Sequence, residues 1–148
     1  MDGLVEAITL VKDESGAIER VEAVEATAGA GLEGDYHHDL TLIEAETLEG
    51  LWTETGIHLG PHDTRRNVLT RGIDLNALVG RRFTVGGVEA EGVELAEPCT
   101  KLQRLTEQPG VLRGLVHRGG LRANVVSGGR IVVGDSVIHP GPVPDGGR

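Results

Sequence analysis

The sequence has 148 residues, with 14 Lys and Arg against 23 Asp and Glu, which gives a formal net charge of −9. This charge argues against non-specific binding to nucleic acid or to an anionic membrane surface, and no apolar run approaches the roughly 18 residues of a membrane span. The length predicts about one domain. A single cysteine rules out an intrachain disulfide and no signal peptide is visible, so we expect a cytoplasmic protein.

The first half of the sequence predicts a hairpin, a glycine-rich loop and one helix. Apolar and acidic residues alternate on either side of a turn-like segment, which is typical of paired strands. Further on, Leu48, Leu51 and Trp52 recur at helical spacing, and Gly56 ends that run. The predicted elements are strands at 4–11 and 18–26 around a turn at 12–16, a loop at 29–34, a short strand at 41–43 and a helix at 44–55.

The second half predicts short strands with little helix. Asp74 is a candidate cap for a short helix that Gly80 closes, and Gly86-Gly87 favours a hairpin turn. The predicted elements are strand 67–70, helix 74–78, hairpin strands 82–85 and 88–95, a helix-like run at 101–105, a helix opened by Pro109, and strands 121–126 and 131–138 around a hairpin turn at 127–129. The pattern predicts a mainly β protein with short helices (α+β): one barrel-like domain over 1–138 and a Pro/Gly-rich tail over 139–148.

The only cysteine, Cys99, is the leading candidate for a catalytic group. It follows a predicted strand, and the helix-like run that begins at Lys101 comes directly after it. A thiol at a helix N-terminus near cationic side chains tends toward the thiolate. The thiolate attacks electrophiles, carries sulfur or binds a soft metal. The alternative is a buried structural cysteine, because free cysteine is among the most buried residue types.

Cationic side chains collect in the second half of the sequence and suggest a site for one small anionic ligand. Residues 1–63 contain only two, Lys12 and Arg20. Two later groups are candidates for anion binding, because guanidinium and free backbone N–H groups hold phosphate and carboxylate well. These groups are Arg65-Arg66-Asn67 and Arg118-Gly119-Gly120. The alternatives are solvated surface arginines and, for Arg118, a cation at a helix C-terminus.

The segment 31–38 is a glycine-rich loop with ionisable groups. Gly34 would let the backbone approach a ligand, and Asp35 and His37 follow it directly. No Gly-Lys-Ser/Thr ending is present, which excludes a triphosphate-binding loop. The histidines are also candidate metal ligands, in which case His37 or His38 would act together with His58, His62 or Cys99. The alternative is that the histidines are partly exposed and hydrogen-bonded.

Taken together, the ordered motifs closely resemble the MOSC domain, the module at the C-terminus of molybdenum cofactor sulfurases that also occurs as small free-standing proteins. The resemblance covers roughly residues 3–138. The matching runs, in order, are Gly31-Leu32-Glu33-Gly34-Asp35, Leu42-Ile43-Glu44-Ala45-Glu46, Arg65-Arg66-Asn67-Val68, Arg71-Gly72-Ile73-Asp74-Leu75, Gly80-Arg81-Arg82-Phe83, Glu97-Pro98-Cys99, Arg118-Gly119-Gly120 and Gly129-Arg130-Ile131-Val132-Val133-Gly134-Asp135.

The resemblance implies a β-rich, barrel-like fold and a functional Cys99. That cysteine would carry sulfur as a persulfide, with a cysteine desulfurase as donor and a metal-sulfur centre as acceptor. Alternatively, it would ligate molybdenum in a molybdenum-cofactor (molybdopterin) site, while pyridoxal phosphate is not expected in this chain. A non-catalytic interaction domain is the third alternative. The expected cofactor-binding residues are Arg65, Arg66, Asn67, Arg118, Gly119, Gly34, Asp35 and His37.

Overall fold

The computed structural model describes residues 2–96 and 117–139. Within these ranges the elements are β1 (Gly3–Val11), β2 (Ile18–Val21), β3 (Ala23–Thr27), β4 (Gly31–Leu32), β5 (Leu40–Glu44), α1 (Ala45–Thr55), β6 (Val68–Arg71), a 3-10 helix (Leu75–Leu78), β7 (Arg82–Val85), β8 (Val88–Leu95), β9 (Leu121–Ser127), β10 (Gly129–Val132) and β11 (Ser136–Ile138). The predicted helices at 101–105 and after Pro109, and the tail beyond 139, lie outside the described residues.

Seven strands close into a barrel in the order β11-β7-β8-β9-β5-β6-β1, because β1 also pairs with β11. The long strand β1 makes this closure possible: its first residues pair with β11 and its last four with β2, while β6 pairs along its other edge. All neighbours are antiparallel except β5 and β6, which are parallel and are connected through α1. A second sheet has the strand order β10-β3-β4. Along the chain, β3 follows β2 and β10 precedes β11, so both connections lead directly to the barrel.

Two apolar cores hold these layers together. The larger fills the barrel and contains fully buried Ile8, Leu42 and Phe83, together with residues of the small sheet such as Ile131. The smaller core lies where Leu48 and Leu51 of α1 pack outside the barrel on β5 and β6. Helix α1 ends at Gly56, as the sequence predicted, and this glycine takes the left-handed conformation common at helix ends. The predicted fold class, a mainly β barrel-like domain with short helices, is confirmed.

Two long predicted strands are each two strands in the structure. The segment 18–26 bends at Glu22, so that β2 joins the barrel and β3 joins the small sheet. The bend is needed because Val21 and Val24 both pack inward, and an odd spacing cannot do this in a strand of period two. The segment 131–138 is divided by a turn in which the Val132 N–H donates to the Asp135 carboxylate, 2.8 Å away.

Two local predictions are wrong in detail. Asp74 stands at the N-cap of the 3-10 helix without a side-chain cap bond; instead the Leu75 N–H donates to Glu44 Oε2 at 2.9 Å. The glycines at 128 and 129 do not form a hairpin turn, because β9 pairs with β5 and β8 while β10 pairs with β3. In the described ranges, no helix is long and apolar enough to cross a membrane.

Candidate functional site

The structure defines the two ends of the segment that carries Cys99, while Cys99 itself lies outside the described residues. Strand β8 leads to Ala96, and the chain is described again from His117 into β9. The two ends lie side by side, because the Ala96 N–H donates to the Gly120 carbonyl at 2.8 Å. We call residues 97–116 the Cys99 segment.

Arg66 connects the two chain stretches that flank the Cys99 segment, one ending at Ala96 and the other beginning at His117. Its Nε donates to the Gly119 carbonyl at 2.7 Å, and its Nη2 donates to the Ala96 carbonyl at 2.9 Å. The sequence predicted an anion-binding role for Arg66. These bonds place its guanidinium between the two chain stretches that flank the Cys99 segment, with the carbonyls of Ala96 and Gly119 among its partners.

Arg65 extends to a different part of the molecule. Its backbone has a positive φ of 61°, and its side chain donates to the carbonyls of Gly16 and Asp63 at 3.3 and 2.8 Å. The adjacent side chains of Arg65 and Arg66 therefore extend to different parts of the molecule.

Asp35 and Asn67 join the glycine-rich loop to the start of β6. The side chain of Asp35 is fully buried; its Oδ1 accepts the Val11 N–H at 2.6 Å and the Asn67 amide at 3.1 Å, and its Oδ2 accepts the His37 N–H at 3.1 Å. These bonds hold the loop onto the end of β1. The exposed imidazole of His37 lies 3.4 Å from the same carboxylate.

Asn67 is only 2% exposed, and its side chain uses its whole hydrogen-bonding capacity inside the protein. The amide nitrogen donates to the Thr9 carbonyl at 3.0 Å as well as to Asp35. The amide oxygen accepts the Thr41 N–H at 3.0 Å and its hydroxyl at 3.2 Å. We call Asp35, Asn67, Thr9 and Thr41 the Asp35–Asn67 network; it ties β1, β5, β6 and the glycine-rich loop together.

Gly34 lies at the rim of an open groove of about 320 Å³. Its φ of +89° favours glycine, and the side chain of Leu10 is the nearest group that a Cβ would meet, at 3.2 Å. The groove also contains Glu25, Glu33 and Arg130. It is therefore largely acidic, with an apolar floor.

Arg118 lines a separate pocket of about 190 Å³ between the start of α1 and the 3-10 helix. Its guanidinium is half exposed and lies 3.5 Å from Glu54. Two carboxylates, Glu44 and Asp74, share the pocket with it. Burial raises the pKa of Glu44, and the charge of Asp74 adds to this, while the hydrogen bond from Leu75 opposes it.

Thr9 extends the Asp35–Asn67 network to the partly buried His62. Thr9 is 1% exposed, and its hydroxyl lies 2.6 Å from His62 Nδ1. Burial lowers the pKa of His62 below its ordinary value, and the positive charge of Arg20 acts in the same direction; Asp63 and Glu22 oppose them. The folded protein therefore favours a neutral His62.

This lowered pKa predicts a loss of stability in mild acid. Because the unfolded chain binds a proton at His62 more readily than the folded chain does, the free energy of unfolding should fall as the pH drops below about 6.5. His62→Gln should flatten this part of the profile in urea melts from pH 5 to 8. At pH 8, where the imidazole is neutral in both states, the variant should show only a constant difference. An equally steep acid loss in His62→Gln would contradict the assignment.

The structure thus brings some predicted site residues together and separates others. Arg66, Gly119 and the ends of the Cys99 segment meet, and Asp35 meets Asn67; Arg65 lies away from both groups. Sequence analysis did not single out Thr9 or Thr41, and it considered His62 only as a candidate metal ligand. Thr9 gives the clearest signal for such a role, because it is a polar residue between apolar Ile8 and Leu10. Among residues 2–96 and 117–139, no three His, Cys, Asp or Glu side chains are grouped to hold a metal ion.

Comparison with known proteins identifies the family. The model of the MOSC domain matches residues 31–138, so the chain belongs to the MOSC domain family, which is linked to the C-terminal domain of molybdenum cofactor sulfurases and to molybdenum cofactor biology. A comparison with curated proteins finds no match.

Several solved structures share the fold. The YuaD protein from Bacillus subtilis superposes with a TM-score of 0.81 at 17% identity, covering 93% of this chain and 94% of that one. YiiM from Geobacillus stearothermophilus gives 0.74 at 13% identity, covering 94% and 75%. YiiM from Escherichia coli gives 0.71 at 17% identity, covering 97% and 71%. These similarities establish the fold.

Proposed function

We propose that this MOSC protein is a sulfur carrier that uses Cys99 as its persulfide-forming thiol. The observation that carries the proposal is the position of the only cysteine within the family match at 31–138. Cys99 also follows Ala96 by three residues in the sequence, and the Ala96 carbonyl accepts a hydrogen bond from Arg66.

The transfer requires one thiol and no net redox change. The Cys99 thiolate attacks the terminal sulfur of a persulfide on a donor cysteine desulfurase. A sulfur–sulfur bond forms at Cys99 while the bond to the donor's cysteine sulfur breaks, and the donor leaves as a thiolate. A second exchange passes the terminal sulfur to an acceptor thiolate. Release as sulfide to a metal centre would require two electrons from a thiol reductant.

The described residues favour the carrier over a molybdenum-cofactor site. A pterin phosphate is anionic and requires unopposed cationic or N–H donors. Asn67 directs its amide into the Asp35–Asn67 network, and the pocket beside Arg118 contains the carboxylates of Glu44 and Asp74. These described groups therefore do not fit a phosphate.

Label transfer from a desulfurase tests the proposal. After incubation with a cysteine desulfurase and ³⁵S-cysteine, the wild type should retain about one label per chain, released by dithiothreitol, and Cys99→Ser should retain none. Serine is nearly isosteric, so the free energy of unfolding should change by less than about 1 kcal/mol. A loss of about 1–3 kcal/mol in urea melts without labelling of the wild type would instead indicate a structural cysteine.

A further inference from the structure

We propose that Arg66 is a positioning residue that fixes the two ends of the Cys99 segment to the barrel and so presents Cys99 to its sulfur donor. This inference rests on the proposed sulfur-carrier function.

The geometry of the guanidinium group carries the argument. Its N–H donors are fixed in one plane, so two acceptors that bind them are held at a set separation and orientation. In Arg66 these acceptors are the carbonyls of Gly119 and Ala96, at 2.7 and 2.9 Å. They belong to chain stretches on opposite sides of a 20-residue segment. One side chain therefore sets the spacing of both ends.

Arg66 is itself firmly attached to the barrel. Its backbone N–H donates to the hydroxyl of Thr64, which is 1% exposed. The next residue, Asn67, is fixed by the Asp35–Asn67 network at the start of β6. The ends of the Cys99 segment are consequently held against β6 as well as against each other.

The backbone bond between Ala96 and Gly120 reports on this arrangement. It lies next to both carbonyls that Arg66 binds. If Arg66 holds the two ends together, its loss should let this bond open more often, and the Ala96 amide should then exchange its hydrogen faster. The Ala96 amide is thus a local measure that does not depend on sulfur chemistry.

Arg66→Lys tests the proposal, because lysine keeps the charge but lacks the planar pair of donors. We expect the rate of sulfur loading at saturating desulfurase to fall about tenfold and Ala96 exchange to rise about tenfold, as for the loss of one charge-assisted hydrogen bond. The desulfurase concentration that gives half the maximal rate should stay unchanged. The matched control is Arg82→Lys, which alters an exposed arginine paired with Glu89 and should change neither rate. If Arg66→Lys does not fold, Arg66→Gln, which retains amide donors, takes its place.

The outcomes separate this inference from the proposed function. Wild-type loading with no effect of Arg66→Lys on loading overturns the positioning role, whether or not Ala96 exchange changes. A change in the half-saturating concentration alone also overturns it, since that would indicate donor binding. Absence of loading in the wild type refutes the sulfur-carrier function, whereas the Ala96 exchange still shows whether Arg66 holds the two ends.

Discussion

Asn67→Ala should destabilise the protein by about 4 kcal/mol, the largest loss expected from a polar residue here. The substitution deletes four hydrogen bonds at a site 2% exposed. It leaves the Thr41 N–H and the Thr9 carbonyl without these partners, and each unsatisfied buried group costs about 1–3 kcal/mol. It also removes one hydrogen bond to the Asp35 carboxylate, which keeps those from Val11 and His37. Urea unfolding measures the effect.

The matched control is Asn76→Ala, at an exposed asparagine that donates to the His117 carbonyl. It should cost less than about 1 kcal/mol. Equal losses in the two variants would contradict a structural role for the Asp35–Asn67 network.

The nearly isosteric change Asn67→Asp should make stability depend on pH. It places a second carboxyl group at a position 3.1 Å from Asp35 Oδ1, where two charges cannot both be accommodated. The folded protein would then retain a proton that the unfolded chain has released. The free energy of unfolding of Asn67→Asp should therefore fall, relative to the wild type, as the pH rises above about 4. A constant difference from pH 4 to 8 would contradict this arrangement.

Gly120→Ala should be nearly as damaging, because two constraints act at that position. The backbone has a φ of +110°, which L side chains rarely adopt, and an added Cβ would overlap the carbonyl of Leu42 in β5. Gly120 also pairs with Ala96 at the base of the Cys99 segment. We expect a loss of about 3 kcal/mol or more in urea melts.

Gly134→Ala separates the two constraints on Gly120. Gly134 has a similar φ of +98°, but nothing lies within 4 Å of the Cβ position. Backbone strain alone should then cost about 1–2 kcal/mol. If Gly120→Ala and Gly134→Ala lower the free energy of unfolding equally, the close approach of Gly120 to Leu42 of β5 does not contribute to the loss.

Elements with local signals could be predicted from the sequence. The pair Gly86-Gly87 between two alternating runs predicted the β7–β8 hairpin. The helical spacing before Gly56 predicted α1. The division of 18–26 at Glu22 could not be predicted, because apolar and acidic residues continue to mix across it and the odd spacing of Val21 and Val24 is the only local sign of a bend. The turn after Val132 depends on a side-chain bond to Asp135, which alternation does not reveal.

The contacts of the candidate site were less accessible from the sequence. Asp35 and Asn67 were both identified as candidates, but their pairing depends on barrel closure across 32 positions. Two partners of Arg66 are carbonyls 30 and 53 positions away. Since every residue carries a carbonyl, no residue type marks them as partners. The motifs thus mark Arg66 as a candidate residue, whereas its two bonds to distant carbonyls are visible only in the structure.

The most direct test of the sulfur-carrier proposal is the intact mass of the wild type and of Cys99→Ser after incubation with a cysteine desulfurase and cysteine, combined with elemental analysis for molybdenum. We expect an added mass of about 32 Da, one sulfur atom as a persulfide, on the wild type and not on Cys99→Ser. Dithiothreitol should remove this mass, and the wild type should contain no stoichiometric molybdenum. A wild type that gains no sulfur would contradict the sulfur-carrier proposal: stoichiometric molybdenum in it would indicate the cofactor module, and the absence of both would indicate an interaction domain.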